Sequence, residues 1–595
     1  MALTDFERRV LGEISKERLW RHVEWFAKVG EKLSGTAENE RSVDYILGVL
    51  KEYGVEAEAP EFDAWLGFPR LFEAEVKVLE PERRDLDCVS LAQCASASVE
   101  GDLVYVGGGG LEDYEGLDAR GKVVLVDFSK PPARPWKNYV AGVLKGAVGQ
   151  IVISHAGPKR ALNRGTVKSV WGNPIPENID DIGRIPAASI CREDGEYLMR
   201  LLERGVVRVR MRAEGLRGFH QTRQPIARVA GSTPEFVLLG SHMDAWGAAA
   251  TCNALGCAST LEAARLMTKH RSHLRRGLEL LWFQGHETGI MTGSTWYLDN
   301  FWENLNSNCV AYLNNDTTNM IHSTIYTADG DPVIRDFLVS TVHELAEEEG
   351  APFREPRLKY IPSKTGDQSF YGIGIPSARV QMTFTPEARE EVGAGGGWWY
   401  HSEHDTLDKC DPETMHMAEK AQTLVLLRLC TLPLLPYRIE RLAEWTLDAL
   451  NEIEELGKGA VSLGGLKERA EVFKEKAAEL DEATARLTEK LEKGAKGLGD
   501  EVRAANGCMM RVSRVMNPVN YTLRGRYDQD YYGAEYVQPI PVLRTVSELA
   551  ALNPDATEYK TLRTKLVRAR NAVSDALREA TLIAECAAEG VRGMC

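Results

Sequence analysis

From residue 225 onward, the apolar runs FVLLGSH, LELLWFQ, CVAYLN and SARVQM alternate with helical periodicity around 256–269, 293–301 and 331–349. Strands separated by helices imply an α/β unit with a mixed, largely parallel sheet and helices on both faces. The last helical stretch opens on Asp331-Pro332, a capping residue followed by proline at the first helical position. Sheets of this kind collect ligands beyond the carboxyl ends of their strands. His242 closes the first run, His286-Glu287 follow the second in the turn GHETG, and Asp316 follows the third in NNDTT. The topology therefore brings chemistry-bearing residues from distant positions to one edge.

The flanks read differently. Thr36 can cap a helix whose apolar face is Val43, Ile46, Leu47 and Leu50, stopped by Gly54. Between about 60 and 220, short β-rich runs such as GDLVYVG, GKVVLVDF and GQIVISHA alternate with Gly- and Pro-bearing turns, the pattern of a mainly β insert. Residues 437–505 and 555–592 are rich in Glu, Lys, Ala and Leu at helical spacing, with the aromatic loop NYTLRGRYDQDYYGAEYVQPIP between them. A net charge of −15 argues against a nucleic-acid partner. No stretch approaches the ~20 apolar residues that span a membrane. Eleven scattered cysteines and a charged N-terminus without an apolar core are expected of a cytoplasmic protein.

A metal-activated hydrolase needs ligands, a water of lowered pKa and a base. His242, Cys252, Glu287, Asp316 and His401 are the candidate ligands; Asp244, two residues after His242, is placed to orient its imidazole. His286 is the candidate base. Asp405-Thr406 stand behind His401 in YHSEHDT. Each residue alone is more often structural, and a buried cysteine usually belongs to a core. Their order along successive strand ends is what points to a site.

The segments LSGTAENERSVDYILGVLKEYG, SHMDAW, GHETG, NNDTT, GDQSFYGIGIPS and YHSEHDTLDK occur in the order in which similar motifs occur in the M28 family of metallopeptidases. The chain resembles the branch of that family containing glutamate carboxypeptidase II and the transferrin receptor. The resemblance covers nearly the whole chain. It implies a zinc-aminopeptidase-like catalytic domain (1–60 and 221–436), a protease-associated insert (61–220) and a helical dimerisation-like domain (437–595), hence a homodimer. It also implies one metal held by His242 and Asp316, and a second held by Glu287 and His401. Cys252 falls on the position of the bridging carboxylate and His286 on that of the general base, so both depart from the family pattern.

Three readings follow. The protein is a catalytically inactive binding homologue; or Cys252 is a thiolate ligand and His286 a base or an extra ligand; or Cys252 is a metal-free nucleophile. The second is favoured: lost catalysis would be expected to erode several of the four persisting ligand types, and a metal-free nucleophile would leave Asp316 and Glu287 without a role. Thiolate and imidazole suit zinc, one or two ions, with iron or nickel as alternatives. The expected reaction is hydrolysis of an amide or related C–N bond in a small-molecule or short peptide-like substrate. Tyr531-Tyr532 fall where the glutamate-specific member presents Lys-Tyr, which disfavours a glutamate-like substrate. Trp399, Tyr400 and Tyr532 are candidate pocket residues.

Overall fold

A computed structural model describes residues 3–132, 134–155, 161–316, 319–356, 367–393, 396–533 and 538–591. Its first sheet comprises β1 (Glu56–Glu58), β2 (Ile226–Val229), β3 (Phe236–His242), β4 (Gly277–Phe283), β5 (Cys309–Asn314), β6 (Ser323–Gly330) and β7 (Ser377–Phe384). The spatial order is β1-β2-β4-β3-β5-β7-β6. The inner strands β4, β3, β5 and β7 are parallel, and the outer ones join antiparallel. Every residue of β3 and β4 is buried, and the alternation of side chains decides where each goes. Val237 and Leu239 enter a core shared with helices Lys16–Val29, Ala37–Glu52, Leu255–Lys269 and Pro412–Thr431. Phe236 and Leu238 pack on the other face against Tyr297, Leu298 and Leu305. Burying such side chains contributes roughly 1.5–3 kcal/mol each, so a slip of one residue in register would be costly.

The caps read from sequence are present. The Thr36 hydroxyl accepts from the Asn39 amide at 3.3 Å, and Asp331 accepts from the Val333 amide at 3.0 Å ahead of helix Pro332–Glu349.

A second sheet, of eight strands, lies between residues 75 and 213. At its centre, strands Ala97–Tyr105, Val123–Asp127, Gly149–Ile153 and Ala187–Ile190 run parallel, and helix Arg192–Leu202 packs Leu198 and Leu201 on them. An antiparallel ribbon, Glu61–Pro69 with Gly215–Arg223, leads out to this unit and back. The unit grips the turn that carries His286 and Glu287. Gly67 N and the Gln93 amide donate to Thr288 O at 3.0 and 2.6 Å, and the buried Lys168 donates to Gly289 O at 2.6 Å.

After residue 436 the chain is helical, with long helices Ile439–Gly457, Gly464–Glu492, Gly499–Tyr521 and Thr557–Val591. The loop after Tyr521 returns over the site: Tyr532 N donates to Ser169 O at 2.8 Å, and Gln529 donates to Ser369 O at 3.0 Å. No helix among the described residues is long and apolar enough to cross a membrane.

Candidate metal centre

His242 ends β3 with its ring fully buried, and its Nδ1 lies 3.0 Å from the main-chain oxygen of Asp244. An acceptor there puts the ring proton on Nδ1 and leaves the Nε2 lone pair for the centre, where Asp316 Oδ1 is 3.3 Å away. The orienting role expected of Asp244 falls to its main-chain oxygen. Its carboxylate is 4.0 Å from the ring. It accepts instead from the amides of His286 and Glu287 at 3.1 and 3.0 Å. Asp244 thus shapes the neighbouring turn with its side chain and orients His242 with its backbone. Burial lifts its carboxyl to about 6.

Cys252 lies in the irregular turn Ala250–Ala254, just before helix Leu255–Lys269, where its own backbone and that of Asn253 are non-helical. The Asp405 carboxylate takes the amides of Thr251 and Cys252 at 2.9 and 3.2 Å. Asn253 donates to Asn315 O at 2.9 Å. The Cys252 Sγ is 3.6 Å from His242 Nε2, 3.7 Å from Glu287 Oε1 and 3.8 Å from His401 Nε2.

The Glu287 carboxylate is fixed on both sides, by Trp246 Nε1 at 2.8 Å and His401 Nε2 at 2.8 Å. Burial opposes its charge, but His401, His286 and His242 more than offset this and hold its pKa at about 2. The His286 ring stacks on His242 with centroids 3.8 Å apart, and its Nδ1 is 3.0 Å from Asp367 Oδ2. Burial favours the neutral ring, yet Asp367, Asp316 and Glu287 outweigh it and raise His286 to about 10. His401 takes a left-handed backbone conformation, φ 57°, with its ring against Tyr400 and its Nδ1 3.4 Å from Arg134 of the second sheet unit.

Three donor groups result, each with its ligand atoms within 4.8 Å of one another: His242, Cys252 and Asp316; Cys252, Glu287 and His401; and His242, His286 and Glu287. Cys252 belongs to the first two. A tetrahedral ion with bonds of about 2.3 Å to sulfur and about 2.0–2.1 Å to nitrogen sets those atoms about 3.6 Å apart. Cys252 Sγ keeps that spacing from His242 and nearly so from Glu287. The buried donors and their spacing therefore fit a transition metal.

Beside the centre is a cavity of about 540 Å³, lined by His286, Glu287, Asp316 and His401 on one side and by Arg134, His155 and Arg379 elsewhere. Tyr400 and Tyr532 line it too. Trp399 does not. It is 3% exposed, packs with Met320, Phe384 and Val392, and gives its indole N–H to Thr251 at 3.2 Å. Trp399 is thus a core residue behind the Cys252 turn, a correction to the pocket role expected of it. The sequence reading also passed over Asp367, Trp246, Arg134 and His155. Asp367 and Trp246 sit inside the motifs GDQSFYG and SHMDAW, and a search for partners to the odd His286 would have weighed Asp367. Arg134 and His155 come from the insert, and no local pattern ties them to the site.

Residues 225–426 match Peptidase family M28. This α/β domain belongs to that family. With its M28 domain the chain joins the metal-dependent hydrolases. Among curated proteins it is similar to carboxypeptidase Q of Xenopus laevis, 25% identical over 67% of this chain and 82% of the other. A probable lipoprotein aminopeptidase of Mycobacterium tuberculosis is 24% identical over 69% and 84%. A probable glutamate carboxypeptidase of Arabidopsis thaliana is 23% identical over 52% of each. Among solved structures, a peptidase M28 precursor from Shewanella amazonensis aligns with a TM-score of 0.56 at 21% identity, over 71% of this chain and 97% of that one. A zinc aminopeptidase from Bacillus subtilis aligns with 0.53 at 17%, over 70% and 96%. These likenesses bear on the fold of the M28 domain.

Proposed function

We propose that the protein hydrolyses an amide or related C–N bond at a metal centre in which the Cys252 thiolate takes the place of a bridging carboxylate. The observation that carries this reading is the position of Cys252 Sγ, 3.6–3.8 Å from His242, Glu287 and His401 and shared by two donor groups. His242, Asp316, Glu287 and His401 would complete the set, with zinc the best match to thiolate, imidazole and carboxylate together. A thiolate shared between two groups suits one ion or a sulfur-bridged pair.

When bound, the metal supplies a polarised carbonyl and a water of lowered pKa. The chain's own residues do the rest. Glu287 stays ionised and fixed by Trp246, Asp316 faces the cavity, and Tyr400 and Tyr532 form walls against which a substrate is oriented. The missing lysine at position 531 speaks against a glutamate-like substrate, but Arg134, Arg379 and Arg389 all line the cavity. Three arginines lining one cavity support a small, peptide-like substrate that carries an anionic group. A cytoplasmic setting would keep the thiolate reduced, and the C-terminal helices are the surface proposed for a homodimer.

The test is a panel of anionic and neutral N-acyl amino acids and dipeptides, assayed before and after chelation and after zinc is restored. The expected result is metal-dependent hydrolysis confined to anionic members, with KM for them raised about tenfold or more by Arg389→Ala. No turnover with any metal or substrate would overturn the reading and leave a silent binding homologue.

A further inference from the structure

His286 occupies the position of a proton acceptor in the family pattern, yet its surroundings are those of a ligand. Metal-binding histidines present one nitrogen to the ion and give the other N–H to a carboxylate or carbonyl, which fixes the tautomer and turns the ring. Two histidines here have that arrangement. His242 has its Nδ1 on the Asp244 carbonyl at 3.0 Å, and His286 has its Nδ1 on the Asp367 carboxylate at 3.0 Å. Asp367 is fully buried, and its Oδ2 meets that ring at 3.0 Å. The two rings are stacked within 13° of parallel. They also form the third donor group together with Glu287, a group that uses neither Cys252 nor Asp316.

We infer that His286 is a metal ligand, with His242 and Glu287 as its partners and Asp367 as its outer carboxylate. The two departures from the family pattern then act together. Exchanging one carboxylate for a thiolate and another for an imidazole turns an oxygen-rich centre into one dominated by nitrogen and sulfur. Such a donor set selects zinc and softer or redox-active first-row metals over magnesium, calcium and manganese. His286 joins the donors through His242 and Glu287, while Cys252, Asp316 and His401 belong to the two neighbouring groups. This inference rests on the reading that the centre holds a transition metal.

The experiment is zinc affinity of the full-length protein, measured by chelator competition under reducing conditions, with the imidazole count read from X-ray absorption. His286→Ala and the size-conserving His286→Gln should each lower zinc affinity by more than about 100-fold and remove one imidazole from the count. Asp367→Asn should lower affinity about 10–100-fold, the range for loss of an outer partner. Thermal melts of the metal-free proteins identify any variant that fails to fold, and the Gln and Asn variants are isosteric enough to keep the comparison informative. Parent-like affinity and an unchanged imidazole count in both His286 variants would overturn the inference while leaving the hydrolase reading intact. A parent protein that binds no metal would overturn both.

Discussion

Two backbone amides, rather than the thiol, set the position of Cys252. Asp405 accepts from Thr251 N and Cys252 N with one carboxylate, and Trp399 braces the Thr251 hydroxyl from behind. Asp405 is 2% exposed, and burial lifts its carboxyl to about 6. Asp405→Ala strands two buried donors, which costs about 1–3 kcal/mol each at most when unreplaced. The expected result is a loss of stability of that order in urea melts, accompanied by weaker metal retention. A variant with parent stability and parent metal content would show that the turn holds itself. Glu287 is a second case of a residue held at both ends, and Trp246→Phe, which removes the indole donor, is expected to raise metal dissociation more than it lowers stability.

The elements around the site differ in how openly the sequence announces them. Helix Ala37–Glu52 and helix Pro332–Glu349 have caps written into Thr36 and Asp331-Pro332, and local rules suffice for both. Helix Gly499–Tyr521 runs well past residue 505, where the helical composition fades, because Met509, Met510, Met516 and Tyr521 find tertiary burial that outweighs Gly507 and Pro518. The parallel centre of the insert sheet was not legible from its short β-rich runs, since pairing between distant strands leaves no local mark. One ion pair at that centre has consequences for the site. Arg192 grips both Asp127 oxygens at 2.9 Å and Ser154 O at 2.7 Å, tying together the strand ends that carry Phe128, which packs under Arg134, and His155. Burial opposes the Asp127 charge, but Arg192 and Ser129 outweigh it and lower the pKa from 3.8 to about 2. A depressed carboxyl pKa stabilises the fold above the unfolded value and loses that contribution as pH falls through the folded one. Asp127→Asn should therefore be less stable than the parent at pH 7, with the gap closing between about pH 4 and pH 2. Melting curves across that range check it, and a gap that does not depend on pH would contradict it.

At the scale of the whole molecule, residues from three regions meet at one cavity. The M28 domain brings His286, Glu287, Asp316 and His401, the insert brings Arg134, His155 and Thr166, and the C-terminal loop brings Tyr532. Trp171 gives its indole N–H to Ser369 at 2.8 Å, two residues from Asp367, so the insert is locked onto the strand-end region behind His286. The meeting of His242, Cys252, His286, Glu287, Asp316 and His401 was legible because each follows a strand or a glycine-bearing turn in a fixed order. What they contact was not, since Asp367, Arg134 and Trp246 reach the centre only through tertiary packing. Cys252 is the residue that sets this centre apart. The most direct test is X-ray absorption on the metal-loaded protein beside Cys252→Ser, both prepared without affinity tags and under reducing conditions. One sulfur scatterer at about 2.3 Å is expected in the parent and none in the variant, with metal content falling sharply in the variant. A parent centre with only nitrogen and oxygen ligands, or equal metal in both proteins, would contradict it.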